Sequence, residues 1–354
     1  MTMHSEDIED SLRHTSRTVR IKTAMRKDFT PTPEQVERGL TDPVWEVRRV
    51  WAYRQDFTPT PEQVERGLND TSDSVRLAWI RRTDFIPTPE QMDRCMRDGN
   101  RNIVRECVAR QDYSWTLEQI ERWLTSDNWI ARCSWAERMD WTPTPEQIER
   151  GLSDAEEEVR ISWAQRTDFT PTPEQIERGL TDPDLTVRGF WAMRADFIPT
   201  PEQIERGLTD IKAAVRECWA MRMDWTPTPE QIERGLTDPD ERPRKEWAER
   251  MDWTPTPLQI ERGLTDKNAI VRKAWAERTD WTPTPEQAER GVSDPHYEVV
   301  IAWLQRKDVC WTDAQVQQGL LHHNEEVREA WEQMILYKKV HDTDACETYR
   351  PYTI

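Results

Sequence analysis

Apolar residues recur along this chain at helical spacing, but only in short bursts. Val36 and Leu40 stand four apart; after a polar break Val47 and Trp51 do the same, with Ala52 beside Trp51. A spacing of four puts two side chains on one helix face. Helices this short do not persist alone in water, so each must bury its apolar side against a neighbour. Thr32 precedes Pro33, and Gln35 follows three residues after the threonine. That is an N-cap with proline in the first turn and a capping-box partner. The pattern predicts a first helix over about Pro33–Leu40. Asp42 before Pro43 reads as a second cap-plus-proline signal, opening a second helix that runs to about Gln55. Asp56-Phe57-Thr58-Pro59 is then a turn, because proline pushes the preceding residue out of the helical region.

The whole pattern returns every 28 residues, with Asp leading at 28, 56, 84, 112, 140, 168, 196, 224, 252, 280 and 308. Eleven repeats cover 28–335. Residues 1–27 read as a degenerate N-terminal capping repeat, with Ile8, Leu12, Val19, Arg20, Ala24 and Arg26 in phase. Residues 336–354 are out of phase and read as a C-terminal cap or tail. The expected fold is all-α: an α-solenoid, or superhelix, of about eleven two-helix repeats with a partial N-terminal cap, each repeat buried against its neighbours.

Positions that stay the same from repeat to repeat are expected to serve stacking. Counting from the leading Asp, position 24 is Trp in ten repeats, from Trp51 and Trp79 to Trp331, and reads as a core ladder rather than a ligand platform. The aromatic at position 2 (Phe29, Trp141, Phe169, Trp225, Trp253) reads the same way. Gly39 and its equivalents at position 12 are expected to allow close helix approach. Asp28, Arg48 and Arg54 recur as Asp168, Arg188 and Arg194, usually with a second Asp such as Asp42 or Asp182. Bidentate Arg–Asp pairs tying one repeat to the next are expected, rather than a phosphate site.

The elements Thr170-Pro171-Thr172-Pro173, Leu180-Thr181-Asp182 and Val187-Arg188 leading to Ala192 resemble the leucine-rich repeat variant family and, more distantly, HEAT-type helical repeats. The resemblance spans nearly the whole chain and implies helical architecture; it says little about function. Two features depart from it: the period is longer than usual for that family, and Trp replaces the ordinary aliphatic before Ala. An iron–sulfur cluster ahead of some such arrays would need clustered cysteines, and residues 1–27 contain none. In related solenoids the second helix lines the concave surface, and the resemblance implies the same here.

Composition narrows the classes. Charged residues are 33% and hydrophobic ones 36%, yet nineteen Trp exclude a plainly disordered chain. A net charge of −18 argues against a polyanionic partner, and so against direct nucleic-acid binding. Acidic clusters such as Glu156-Glu157-Glu158 are short and interleaved with arginine. No run suits a membrane span, and the first residues lack a secretory pattern, so a cytoplasmic protein is expected. The six cysteines (95, 107, 133, 218, 310 and 346) form no Cys-x-x-Cys pair, which points to reduced thiols rather than a disulfide framework or zinc site. His322-His323 with His341 or Cys346 matches no zinc spacing and reads as a solvated end cap. No phosphate-binding loop or nucleophile motif is present. The expectation is a non-enzymatic protein with no catalytic residue, cofactor or metal.

Function is therefore sought where repeats differ. Positions 18, 22 and 26 of the second helix form one stripe, expected to point away from the Val and Trp face. It carries Trp45, Arg49 and Tyr53; Trp129, Cys133 and Glu137; Leu185, Gly189 and Met193; Ala213, Glu217 and Met221; and Tyr297, Ile301 and Gln305. Large side chains of these types facing solvent mark partners. The candidate partner-binding residues are Trp45, Arg49, Tyr53, Trp129, Leu185, Met193, Met221, Tyr297 and Ile301. The expected function is a binding or scaffold protein for a protein or peptide on the concave face. The alternative is an acidic inhibitor, of the immunity or phage counter-defence type, that blocks the nucleic-acid site of a nuclease or other DNA-binding protein. Three repeats are irregular. The third carries Val104-Arg105 one place late, with Cys107 or Val108 in its Trp slot. The fourth has Ser114-Trp115-Thr116-Leu117 in place of Thr-Pro-Thr-Pro. The eighth has Pro243 in the Val slot, which is expected to delay its helix.

Overall fold

The computed structural model describes residues 5–341; among these it contains twenty-four helices and no strand. The protein is an all-α solenoid. Its chain falls into two compact halves, one ending at Thr170 and the other beginning at Pro171. No helix among the described residues is long and apolar enough to cross a membrane.

The first helices start directly after their capping threonine, with proline at the first position in nine of the eleven repeats, as at Pro33–Leu40 and Pro201–Leu208. The Thr32 hydroxyl accepts the Gln35 N–H at 3.3 Å, and the Gln35 carbonyl oxygen accepts the Thr32 N–H at 3.0 Å. Two free donors of the helix end are thus satisfied reciprocally. The fourth repeat keeps this box at Thr116 and Gln119 although Leu117 replaces proline.

The second helix is shorter than the pattern suggests: Trp45–Tyr53 in the first repeat, with Val44 as N-cap. Asp42 does not cap it. Its Oδ1 accepts the Val44 N–H at 2.8 Å, while both carboxylate oxygens are held by Arg20 at 2.7 and 2.9 Å. At the other end Arg54 turns out of the helix with ψ 137°. Pro243 does not delay its helix, which spans Glu241–Glu249 like its counterparts. It stands in the first turn, where backbone N–H groups have no helical acceptor to lose. Nor is the third repeat out of step. Its second helix is Arg101–Ala109, Ile103 fills the Val slot, and Val104 replaces the arginine.

Four sets of contacts close the repeats on one another. In the core, each position-24 indole is 1–2% exposed in Trp51, Trp79, Trp219 and Trp275 alike. In the repeats with glycine at position 12, the indole fills the space beside it: a Cβ on Gly39 would lie 2.2 Å from Trp51 Nε1, and one on Gly207 2.1 Å from Trp219 Nε1, whereas the fourth repeat buries Trp123 together with Trp135. The second contact is the bidentate pair from position 21 to the next repeat's position 15. It comprises Arg20–Asp42, Arg48–Asp70, Arg76–Asp98 and Arg132–Asp154 in the first half, and Arg188–Asp210, Arg216–Asp238, Arg244–Asp266 and Arg272–Asp294 in the second. The third joins Glu at position 10 to Arg and Gln of the next first helix. Glu65 receives Arg94 at 2.8 Å and the Gln91 amide at 3.0 Å. One glutamine side chain therefore caps its own helix and ties it to the preceding one.

The arginine at position 27 is the most complete of these devices. Arg222 spends all five N–H groups. Nε and Nη2 donate to Asp224, Nη1 to the Ala192 and Arg194 carbonyls of the preceding repeat, and Nη2 also to the Phe197 carbonyl. Its guanidinium lies 4.7 Å from the Phe197 ring and 5.6 Å from Trp219. A buried charge this fully hydrogen-bonded and stacked escapes the penalty of an unpaired one.

At the ends, helices Ser5–Arg13 and Arg17–Ala24 precede the first repeat, and Arg26 pairs with Asp28 as later arginines do. The last helix continues from Glu325 to His341. His322 occupies the slot of the second Asp: its Nδ1 accepts the Asn324 N–H at 3.1 Å, and its ring lies 4.3 Å from that of His323. The His341 side chain and Cys346 lie outside the described residues. Cys95, Cys107, Cys133 and Cys218 are free thiols, but Cys310 is disulfide-bonded, which corrects the expectation of reduced thiols throughout.

Candidate partner-binding surface

The outward stripe of the second helix is not uniform. Positions 18 and 26 open to solvent in several repeats, while position 22 is partly or fully covered in all but the third and eleventh. A Cβ on Gly189 would meet Cys218 Sγ of the following repeat at 3.5 Å. Cys133 is 1% exposed, with Sγ 2.9 Å from Ser162 Oγ. Among the residues of this position, Cys133 and Gly189 are buried, Arg49 and Ile301 are half-buried, and Arg105 and Glu329 are exposed.

In the first half, Trp45 and Tyr53 are exposed and Arg49 is half-buried, its guanidinium 5.5 Å from the Trp45 ring. Tyr53 borders a recess of about 520 Å³ with Met25, Lys27 and Val50. Its hydroxyl also faces Arg81, whose pKa is raised first by Glu106, paired at 2.7 Å, and less by Tyr53. Trp129 is half-buried, with the Arg101 guanidinium 5.9 Å from its ring. Glu137, below it on the stripe, is held by Arg101 at 2.9 Å and Arg105 at 2.7 Å. Trp45 and Arg49 come together, whereas Trp129 is drawn into the seam between the third and fourth repeats.

In the second half, Met193 and Met221 are 55% and 48% exposed. They meet in a recess of about 460 Å³ that also includes Met223 and Cys218. Leu185 is half-buried. Cys218 is pushed up by desolvation, and nearby Glu217 is raised by burial against the pull of Arg242. Tyr297 is exposed, and its hydroxyl is raised by the carboxylates of Glu326 and Glu298. Ile301 is half-buried and borders a separate recess of about 430 Å³ with Leu304, Lys307, Met334 and Tyr337.

One set of surface residues escaped the stripe argument. Met139, Met223 and Met251 occupy position 28, in the turn just past the second helix, and all are exposed. A helical face cannot include them, but three methionines at one varying position were a visible signal. The only cluster of acidic or metal-type side chains found among the described residues is Glu156, Glu157 and Glu158, at the exposed start of a helix.

No family model and no curated protein matches this chain. Among solved structures it is similar to one described as a leucine-rich repeat variant with a novel repetitive protein structural motif. That match has 21% identity, covers 70% of this chain and 87% of the other, and has a TM-score of 0.42.

Proposed function

We propose that the protein is a non-enzymatic binding module whose second-helix ends receive a protein or peptide partner. One observation carries this reading. The framework arginines are consumed by internal pairs, as Arg222 is, while Met193, Met221 and Met223 stand exposed around one recess with nothing over them. Unbranched thioether side chains adapt to varied apolar shapes, which suits peptide recognition. Trp45 and Tyr53 offer a second, aromatic anchor of the kind that dominates interfaces. With a net charge of −18, the fitting partner presents apolar anchors among basic residues.

The test captures partners from the native cell with wild-type chain, then repeats the capture with Met193→Ser/Met221→Ser/Met223→Ser and with Trp45→Ala/Tyr53→Ala. Helical content and melting should hold. Affinity should fall by roughly 30-fold, since truncating an interface anchor costs about 2 kcal/mol or more. Undiminished capture by both variants refutes the reading. An acidic inhibitor is the second reading, favoured by a row of exposed glutamates (Glu34, Glu62, Glu90, Glu146) at first-helix starts. It requires affinity to collapse with salt, whereas apolar anchors leave it nearly level.

A further inference from the structure

The Gly–Trp lock is replaced in the third repeat by two cysteines. Cys95 stands at position 12, where nine other repeats have glycine and the fourth has Trp123, and Cys107 at position 24, where the other ten have tryptophan. The regular repeats show what this exchange means in space. A Cβ built on the glycine falls 2.1–2.4 Å from Nε1, Cδ1 or Cε2 of the indole, so the two positions direct their side chains into one volume. In the third repeat that volume holds two thiols, 4% and 0% exposed. The pair is electrostatically linked: Cys107 lowers the pKa of Cys95, while desolvation holds Cys107 well up.

The seam beside this pair is also unlike the others. Val104 replaces the position-21 arginine and Ser126 the position-15 aspartate of the next repeat, so both partners of the bidentate pair are gone. Arg101 and Arg105 reach Glu137 instead, and the Asn128 amide donates to the carbonyl of Met96, the residue after Cys95, at 3.0 Å. The first helix here is the seven-residue Pro89–Cys95, one residue shorter than its counterparts, and Cys95 ends it.

We propose that Cys95 and Cys107 form a redox-active dithiol that closes to a disulfide between the two helices of the third repeat, with a hydroperoxide as oxidant. The Cys95 thiolate attacks the peroxide O–O bond, giving Cys95 sulfenic acid and releasing hydroxide, or an alkoxide from an organic peroxide. The Cys107 sulfur then attacks the sulfenic sulfur. The S–S bond forms, the S–O bond breaks, and the hydroxyl leaves as water with the Cys107 proton. Overall two thiols are oxidised, and hydrogen peroxide is reduced to two waters. Cys95 is the attacking sulfur because its thiolate is the favoured one and it sits at a helix end, where fraying of the last turn admits the oxidant. The disulfide fastens the two helices where an indole does so elsewhere, next to a seam lacking its Arg–Asp pair.

Folded full-length chain is treated with stepwise equivalents of hydrogen peroxide, its remaining thiols are alkylated after denaturation, and it is digested with trypsin without reductant. Arginines at 94, 97, 105 and 110 isolate the two cysteines on separate peptides, Cys95-Met96-Arg97 and Glu106 to Arg110. The expected product is these peptides joined, about 2 Da lighter than their sum, and separated by reductant. It should appear before Cys133 or Cys218 is consumed. In Cys107→Ser the reaction should stop at a Cys95 sulfenic acid that a cyclic diketone probe captures, and Cys95→Ser should give neither product. Recovery of both wild-type peptides fully alkylated, at doses that oxidise Cys133 and Cys218, overturns the proposal.

Discussion

At the scale of single residues, glycine at position 12 shows how packing overrules local preference. Gly207 lies inside a helix, where alanine is favoured by about 1 kcal/mol. A helix-propensity argument therefore predicts that Gly207→Ala stabilises. The structure predicts the opposite, because the new methyl would sit 2.1 Å from Trp219 Nε1, inside a ring that is 2% exposed. Overpacking of this kind costs about 1–3 kcal/mol and here exceeds the propensity gain. Thermal or denaturant melting of Gly207→Ala should show a loss, and a gain would mean the indole has room to move. Gly99 is the control: nothing lies within 4 Å of its added Cβ, so Gly99→Ala should be near neutral. The sequence showed that glycine and tryptophan recur together. It did not show that one exists to receive the other, because periodicity counts positions and carries no distance.

At the scale of elements, the first helix was legible almost residue for residue, since Thr, Pro and Gln act on their own backbone within one turn. The second helix was less so. Asp42 before Pro43 has the local form of a cap, yet its carboxylate is claimed by Arg20, 22 residues away, and local rules cannot see such a partner. The burial of Cys133 and Gly189 on the outward stripe was not legible for a related reason: a helical wheel shows which side faces a helix's own core, but not which side the next copy covers. The carboxylates between first helices yield a pH prediction. Glu9 is held at about 2, chiefly by the Gln35 amide and then by Arg38 and Arg13, and Glu65, Glu177 and Glu261 are likewise held below the usual range. A carboxylate whose folded pKa lies below its unfolded value contributes stability above the unfolded pKa, near 4.5, and loses it as pH falls through the folded one. The array should thus lose stability between about pH 4.5 and pH 2. Glu9→Gln should be less stable than wild type at pH 6 by about 0.2–1 kcal/mol, the scale of exposed pairs, with the difference shrinking as pH falls toward 2 and vanishing below it. A difference that does not shrink between pH 4.5 and pH 2 would assign Glu9 a role other than ion pairing.

At the scale of the whole molecule, what matters is that each joint repeats the same chemistry. Within the second half, Arg216 meets Asp238, Arg244 meets Asp266 and Arg272 meets Asp294, always 22 residues on. Arg250, Arg278 and Arg306 reach back to the same pair of carbonyls, 30 and 28 residues earlier. Stability in such an array is close to a sum over repeats and nearest-neighbour joints. Removing residues 252–279, one full period, should therefore leave a folded chain. Arg244 would find Asp294 where Asp266 had been, and Arg306 would find the Ala248 and Arg250 carbonyls in place of those of Ala276 and Arg278. Removing only 252–265 has a different effect. It deletes a first helix with its glycine, so Trp275 loses the surface that receives it and Arg290 loses Glu261. Circular dichroism and melting should show a cooperative transition with helicity near wild type for the 28-residue deletion, and a large loss for the 14-residue one. Equal damage from the two would mean that stability is shared over the whole array, not built joint by joint from interchangeable seams.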